Sequence, residues 1–185
     1  MEYELIRSFR KTIGAQFRAD GTLLVRAPYL TPRFVIDRFL EERRDWIEKK
    51  RADLQRQQRA AESVVPLTQK ELAALKKEAR RVFSERVAFY APLIGVTYGR
   101  IAVRSQRTRW GSCSGQGNLN FNCLLLLAPP EVLDSVVVHE LCHRREMNHS
   151  QRFYAEVLRV FPEYRKWDRW LKQNGALLQM RLPKE

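Results

Sequence analysis

Long apolar runs are missing from this chain of 185 residues, and no stretch approaches the roughly 18 consecutive apolar residues of a membrane span. The opening residues, MEYELIRSFRK, are charged and carry no signal-peptide core. These absences predict a soluble, cytoplasmic protein with no membrane partner. Cysteine is scarce too: Cys113, Cys123 and Cys142 are odd in number and form no CxxC pair. That argues against a disulfide scaffold and fits a reducing compartment, with each thiol read as a small buried residue rather than a nucleophile. Acidic residues number 21 against 34 Lys and Arg, leaving a net charge of +13. Such an excess attracts anionic partners, nucleic acid or nucleotides among them, although a merely solvated basic surface has the same composition. No internal repeat is present.

Histidine is the residue in shortest supply, and its placement is the most informative feature. All three, His139, His143 and His149, fall within HELCHRREMNH. Hydrophobic residues make up 44%, so the chain can bury a core, and its length fits one domain or one plus a small appendage. Residues four apart share a helix face, so His139 and His143 can hold one metal ion between them, with Glu140 beside it as a general base. On an unbroken helix His149 would lie roughly 240° around from His143 and miss that ion. The helix is therefore predicted to end near Met147, with Asn148 taking a left-handed conformation and Ser150 capping the next helix. Three imidazoles leave one coordination position open, which is the pattern of a catalytic rather than a structural zinc site; a chance HExxH on an ordinary helix is the plain alternative. One Zn2+ is the expected cofactor.

Along the chain, residues 3–27 alternate apolar and polar types about a hairpin signal at Asp20-Gly21, predicting a small antiparallel unit. Thr31-Pro32 starts a helix whose stripe runs through Val35, Ile36, Phe39, Leu40, Trp46 and Ile47 and fades into a polar end and a linker near 60–67. Thr68-Gln69-Lys70-Glu71 is a capping box opening a second long helix that ends at Pro92 and Gly95; its outward Lys76, Lys77, Arg80, Arg81 and Arg86 form a candidate anion-facing strip. Ile101 and Val103 read as a strand, SQRTRWGSCSGQGN as a loop, and LNFNCLLLLAP as a second strand. Pro129-Pro130-Glu131 opens the metal helix, whose Val136–Val138 run taken alone could be strand. Phe153, Val157 and Phe161 mark a further helix, and Tyr164, Trp167, Trp170 and Leu171 a last one ending at Asn174-Gly175.

Thr108-Arg109-Trp110-Gly111-Ser112-Cys113, Asn118–Asn122 and VVVHELCH followed by MNHS and Phe153 together resemble the YgjP-like metallopeptidase family, a compact zincin-type branch. A weaker likeness extends through Gly21, Ala27-Pro28 and Trp46-Ile47. The resemblance implies His139, His143 and His149 as zinc ligands and Glu140 as general base; Arg144 stands where the family often has leucine. The metal helix is also similar to those of Wss-type and SprT/Spartan-like proteases, which cut proteins crosslinked to DNA. It implies an α+β fold: a zincin-like domain with a small antiparallel sheet, an active-site helix and C-terminal helices, preceded by an N-terminal strand-helix unit. We place these at 61–185 and 1–60, as parts of one continuous domain.

A zinc-dependent peptidase acting on a peptide or protein substrate is the leading expectation. Arg109 or Tyr154 would stabilise the oxyanion, Trp110 would line the pocket unless it is a core residue, and Asn120 and Asn122 would lie on an edge able to pair with an extended peptide. Members of the same family have been described as phosphohydrolases of nucleoside triphosphates, and here Arg104, Arg107, Arg109, Arg144 and Arg145 would grip phosphates. A DNA-associated module with a structural metal is the third reading. Nothing in the sequence settles the oligomeric state.

Overall fold

The hairpin signal at Asp20-Gly21 is used as read. Gly21 adopts φ of 88°, and the Asp20 carboxylate accepts a hydrogen bond from the Thr22 amide at 2.9 Å. The chain thereby returns from β2 (Gly14–Phe17) to an antiparallel β3 (Leu23–Pro28). The computed structural model describes residues 2–18 and 20–183, which fall into two units, Met1–Ser63 and Val64–Glu185. Among the described residues no helix is long and apolar enough to cross a membrane.

In the first unit the sheet is mixed, not antiparallel throughout, because β1 (Glu4–Ser8) pairs with β3 in parallel and gives the order β1-β3-β2. The physical reason is burial. Leu23, Leu24, Val25 and Ala27 make β3 the most apolar strand, so it takes the centre, and β2 claims one side through its tight turn. Only the other side is left for β1. The expected single helix is also two: α1 (Arg33–Glu41) and α2 (Arg44–Glu62). Arg43 lies at the break, its guanidinium hydrogen-bonding the Phe39 carbonyl and stacking 4.0 Å from the Phe39 ring centre. Ile36, Leu40 and Ile47 pack with the sheet, while Trp46 is half exposed. Beyond Ile47, α2 buries none of its residues.

In the second unit, α3 (Gln69–Ile94) begins with both halves of the Thr68–Glu71 capping box and ends at Gly95, in the left-handed region at φ 76°. Pro92 lies inside its last turn instead of stopping it. Three strands follow, β4 (Ile101–Arg104), β5 (Gly111–Cys113) and β6 (Leu119–Asn122), in the order β4-β6-β5. This sheet too is mixed, with β4 parallel and β5 antiparallel to β6. Strand β5 emerges from the stretch expected as loop. The apolar run after Asn122 is not strand but a 3-10 helix, Cys123–Leu127, because the Asn122 side chain caps it by accepting from the Leu124 amide at 3.1 Å.

Helix α4 (Pro130–Cys142) is buried on nearly all sides, which explains why its valine run is helical: Val137 and Val138 are fully enclosed and Val136 nearly so. The C-terminal helices are α5 (Gln151–Val160) and α6 (Tyr164–Gln179). Helix α6 continues through Gly175, which is not a cap. A Cβ there would stand 2.9 Å from Cζ2 of Trp110, so the glycine lets the indole lie against the helix. Between α3 and α4, the Arg86 guanidinium grips Asp134 with two hydrogen bonds, 2.6 Å and 2.5 Å. Asp134 is 8% exposed. Arg86→Ala strands this carboxylate, and we expect it to lower the unfolding free energy in urea by about 2 kcal/mol, less than a fully enclosed pair because the arginine is partly in solvent. The double variant with Asp134→Ala should lose less than the sum of the two single losses.

Candidate metal centre

Helix α4 sets His139 and His143 one turn apart with ring centres 4.9 Å from each other. The helix then stops earlier than the sequence predicts, at Cys142, and residues 144–146 make turn hydrogen bonds back to Leu141 and Cys142. Asn148 does not supply the break by a left-handed conformation, since no described non-glycine residue has positive φ. The reversal comes instead from these turns, from the Ser150 amide bonding the Asn148 carbonyl at 2.7 Å, and from the Ser150 hydroxyl capping α5 at the Phe153 amide. His149 is thereby returned to the helix, its Nε2 lying 3.0 Å from Nε2 of His139. One ligand atom from each of the three histidines lies within 4.8 Å of the others.

The other ring nitrogens of His139 and His143 are engaged. Nδ1 of His143 is 3.1 Å from the Glu146 carbonyl, which can only accept, so the proton is on Nδ1 and Nε2 carries a free lone pair. Nδ1 of His139 is 2.8 Å from the Tyr164 hydroxyl. Hydrogen bonds of this kind fix the ring and the tautomer of a metal ligand. Phe153 is fully buried beneath the site and touches all three imidazoles, with ring centres 4.6 to 4.9 Å away. Burial, followed by the neighbouring His143 and His149, lowers the His139 pKa to about 3, and burial lowers that of His143. Neutral rings are the ligating form. An all-imidazole donor set with one ligand atom from each ring within 4.8 Å of the others fits a single metal ion.

Glu140 is 6% exposed, and burial raises its carboxyl to about 8. Gly111 on β5 lies against it: a Cβ at that position would be 2.5 Å from the Oε1 atom. Together these residues face a cavity of about 280 Å³ lined also by Arg109, Trp110, His139, Tyr164 and Asp168. The structure thus brings Arg109 and Trp110 to Glu140. It does not bring Asn120 or Asn122. Paired strand residues share a face, and Phe121, opposite Gly111, stacks on Phe83 in the core, so the flanking asparagines face the other way. Asn120 bonds Ser112, and the buried Asn122 donates to the carbonyls of Gln106 and Arg109, holding the loop that carries Arg109. Strand β6 is also central, so the expected peptide-pairing edge is not there; it belongs to β5. Tyr154 lines a neighbouring cavity, its ring centre 6.2 Å from that of His149.

Three residues of the site went unread in the sequence as site residues: Tyr164, Gly111 and Phe153. Only Phe153 carried a local signal, its four-residue spacing from His149. A model of the YgjP-like metallopeptidase domain matches residues 67–174, more than half of the chain. No curated protein matches. Among solved structures, that of the metallopeptidase zymogen of Pyrococcus abyssi abylysin is 21% identical with a TM-score of 0.45, covering 49% of this chain and 93% of that one.

Two outcomes follow from these contacts. Tyr164→Phe removes the partner of His139 and should weaken metal affinity about 10- to 100-fold in a chelator competition. Without metal, the Glu140 carboxyl titrates near 4.5 when unfolded and about 8 when folded. The folded state then holds the proton more tightly, and stability is lost as pH rises from the lower value through the upper one. Metal-free Glu140→Gln should therefore exceed the metal-free wild type in stability at pH 8, by on the order of 2 to 4 kcal/mol, and match it at about pH 4.

Proposed function

Because this chain belongs to the YgjP-like metallopeptidase family, we propose that it hydrolyses peptide bonds at one zinc ion held by His139, His143 and His149, with Glu140 as general base. Bound zinc supplies a Lewis acid that polarises the scissile carbonyl and lowers the pKa of water toward about 7. Glu140 takes a proton from the attacking water and delivers it to the leaving amine. Its enclosure by Gly111 and α4 limits competing solvent around the proton in transit. Arg109 is the cationic side chain among those lining the cavity, and we assign it to the developing oxyanion. Tyr164 is bonded to His139 and serves that ring.

The observation that carries the reading is that His139 of the histidine cluster, Glu140 and Gly111 of β5 line one cavity, with β5 at the edge of its sheet. Ladder bonds run from Trp110 to Asn122 and from Ser114 to Asn118, so by antiparallel alternation Gly111 and Cys113 turn their N–H and C=O groups away from β6. An extended peptide can add to that edge and lie across Glu140. Phosphate hydrolysis has less support. Of the arginines that would grip phosphates, Arg144 bonds the Thr97 and Gly115 carbonyls, Arg145 pairs with Glu156, and Arg107 bonds the Pro183 carbonyl.

With zinc-loaded protein, Glu140→Gln should keep its metal while cleavage of casein-derived peptides falls by about 10² to 10⁴-fold. His149→Ala should lose zinc by elemental analysis. Glu140-dependent phosphate release from nucleoside triphosphates, with no peptide cleaved, would sink the proposal.

A further inference from the structure

Beside the cavity of Glu140 a second one, of about 350 Å³, opens between α5 and α6. Tyr164 and Asp168 line both, so the two spaces adjoin across these side chains. On α6, Arg165, Arg169 and Lys172 recur at steps of four and three residues and form a stripe on the face that lines the second cavity. Their charge is largely uncompensated. Asp168 is the acidic residue of the lining, and it bonds Lys172 at 2.7 Å. Among the described residues neither Arg165 nor Arg169 has an ion pair or hydrogen bond, so both guanidinium groups are available to a ligand.

Two unpaired guanidinium groups in a concavity that adjoins a hydrolytic site form a receptor for an anion, and a planar fork suits a carboxylate well. We infer that the cavity formed by Tyr154, Arg165, Arg169 and Lys172 is a substrate subsite that selects peptides bearing Asp or Glu within a few residues of the scissile bond. This rests on the peptidase reading. A peptide is favoured over a nucleic acid because the cavity adjoins, across Tyr164 and Asp168, the site proposed to cleave peptides.

The test uses the zinc-loaded full chain and internally quenched peptides carrying Glu, Ala or Lys at each of the three positions on either side of the bond. On one side of the bond, kcat/KM for Glu should exceed that for Ala by about five- to tenfold at low salt, and the ratio should shrink in about 0.5 M NaCl. Arg165→Glu/Arg169→Glu should invert the order, so that Lys is preferred to Glu at the same position. An unchanged Glu preference in that variant overturns the subsite. A second measurement is independent of turnover: anisotropy of a fluorescein-labelled Glu-containing hexapeptide with Glu140→Gln protein, with and without the two charge reversals. Binding lost on reversal supports the subsite even if the wild type cleaves no peptide, in which case the peptidase reading alone fails. Loss of oligonucleotide binding on reversal, with hexapeptide binding unaltered, overturns the subsite in favour of nucleic acid.

Discussion

A helix that turns about 100° per residue can aim two side chains at one point, but not a third six residues further on, and the region from residue 139 to 153 is built around that limit. The helix must stop, the chain must reverse, and the reversal must be rigid enough to hold an imidazole at a fixed place. Each requirement has an identifiable device. Helix α4 closes at Cys142 with three turn bonds, Ser150 opens α5 through its hydroxyl, and Phe153 fills the space beneath all three rings. Arg144, just past the helix end, anchors the turn to the carbonyls of Thr97 and Gly115.

Gathering these groups is costly for the fold. Glu140 and His143 are nearly enclosed, as is Asp134 one and a half turns earlier, and only the last has a countercharge. Burial lowers the pKa of His139 and His143 and raises that of Glu140, so ionising the Glu140 carboxyl in the metal-free protein is unfavourable above the ordinary carboxylate range. The surrounding packing offsets that cost. Helix α4 is covered by α3, α5 and α6, and the stacked pair Phe83–Phe121 ties α3 to the sheet. A site of this kind is stable only because the helix bearing it is the most buried in its unit.

The metal-ligand candidates and Glu140 were legible because their relationship is local: a four-residue step, a neighbour and an enforced break. The caps at Thr68–Glu71 and Ser150 were legible for the same reason, whereas Thr31 does not cap α1, whose N-cap is Pro32. What stayed hidden depends on partners distant in the chain. Tyr164 looked like a core aromatic until α6 placed its hydroxyl on His139. Gly175 resembled a helix stop, since nothing local reveals that Trp110 lies on it. Strand β5 read as loop because three residues with a glycine carry little propensity, and its order in the sheet follows from pairing with β6. Asn120 and Asn122 were expected on a free edge, but β6 pairs on both sides, and whichever face Phe121 takes, they take the other.

The contact between Gly111 and Glu140 separates two properties that are commonly measured together. The ligand cluster is assembled by α4 and α5, while the wall behind the carboxylate belongs to β5, an element that contributes no ligand. A side chain at position 111 would crowd the carboxylate, and none of the three atoms nearest its Cβ belongs to an imidazole. On the proposed reading, metal content then reports on the helices, while turnover reports on the strand as well.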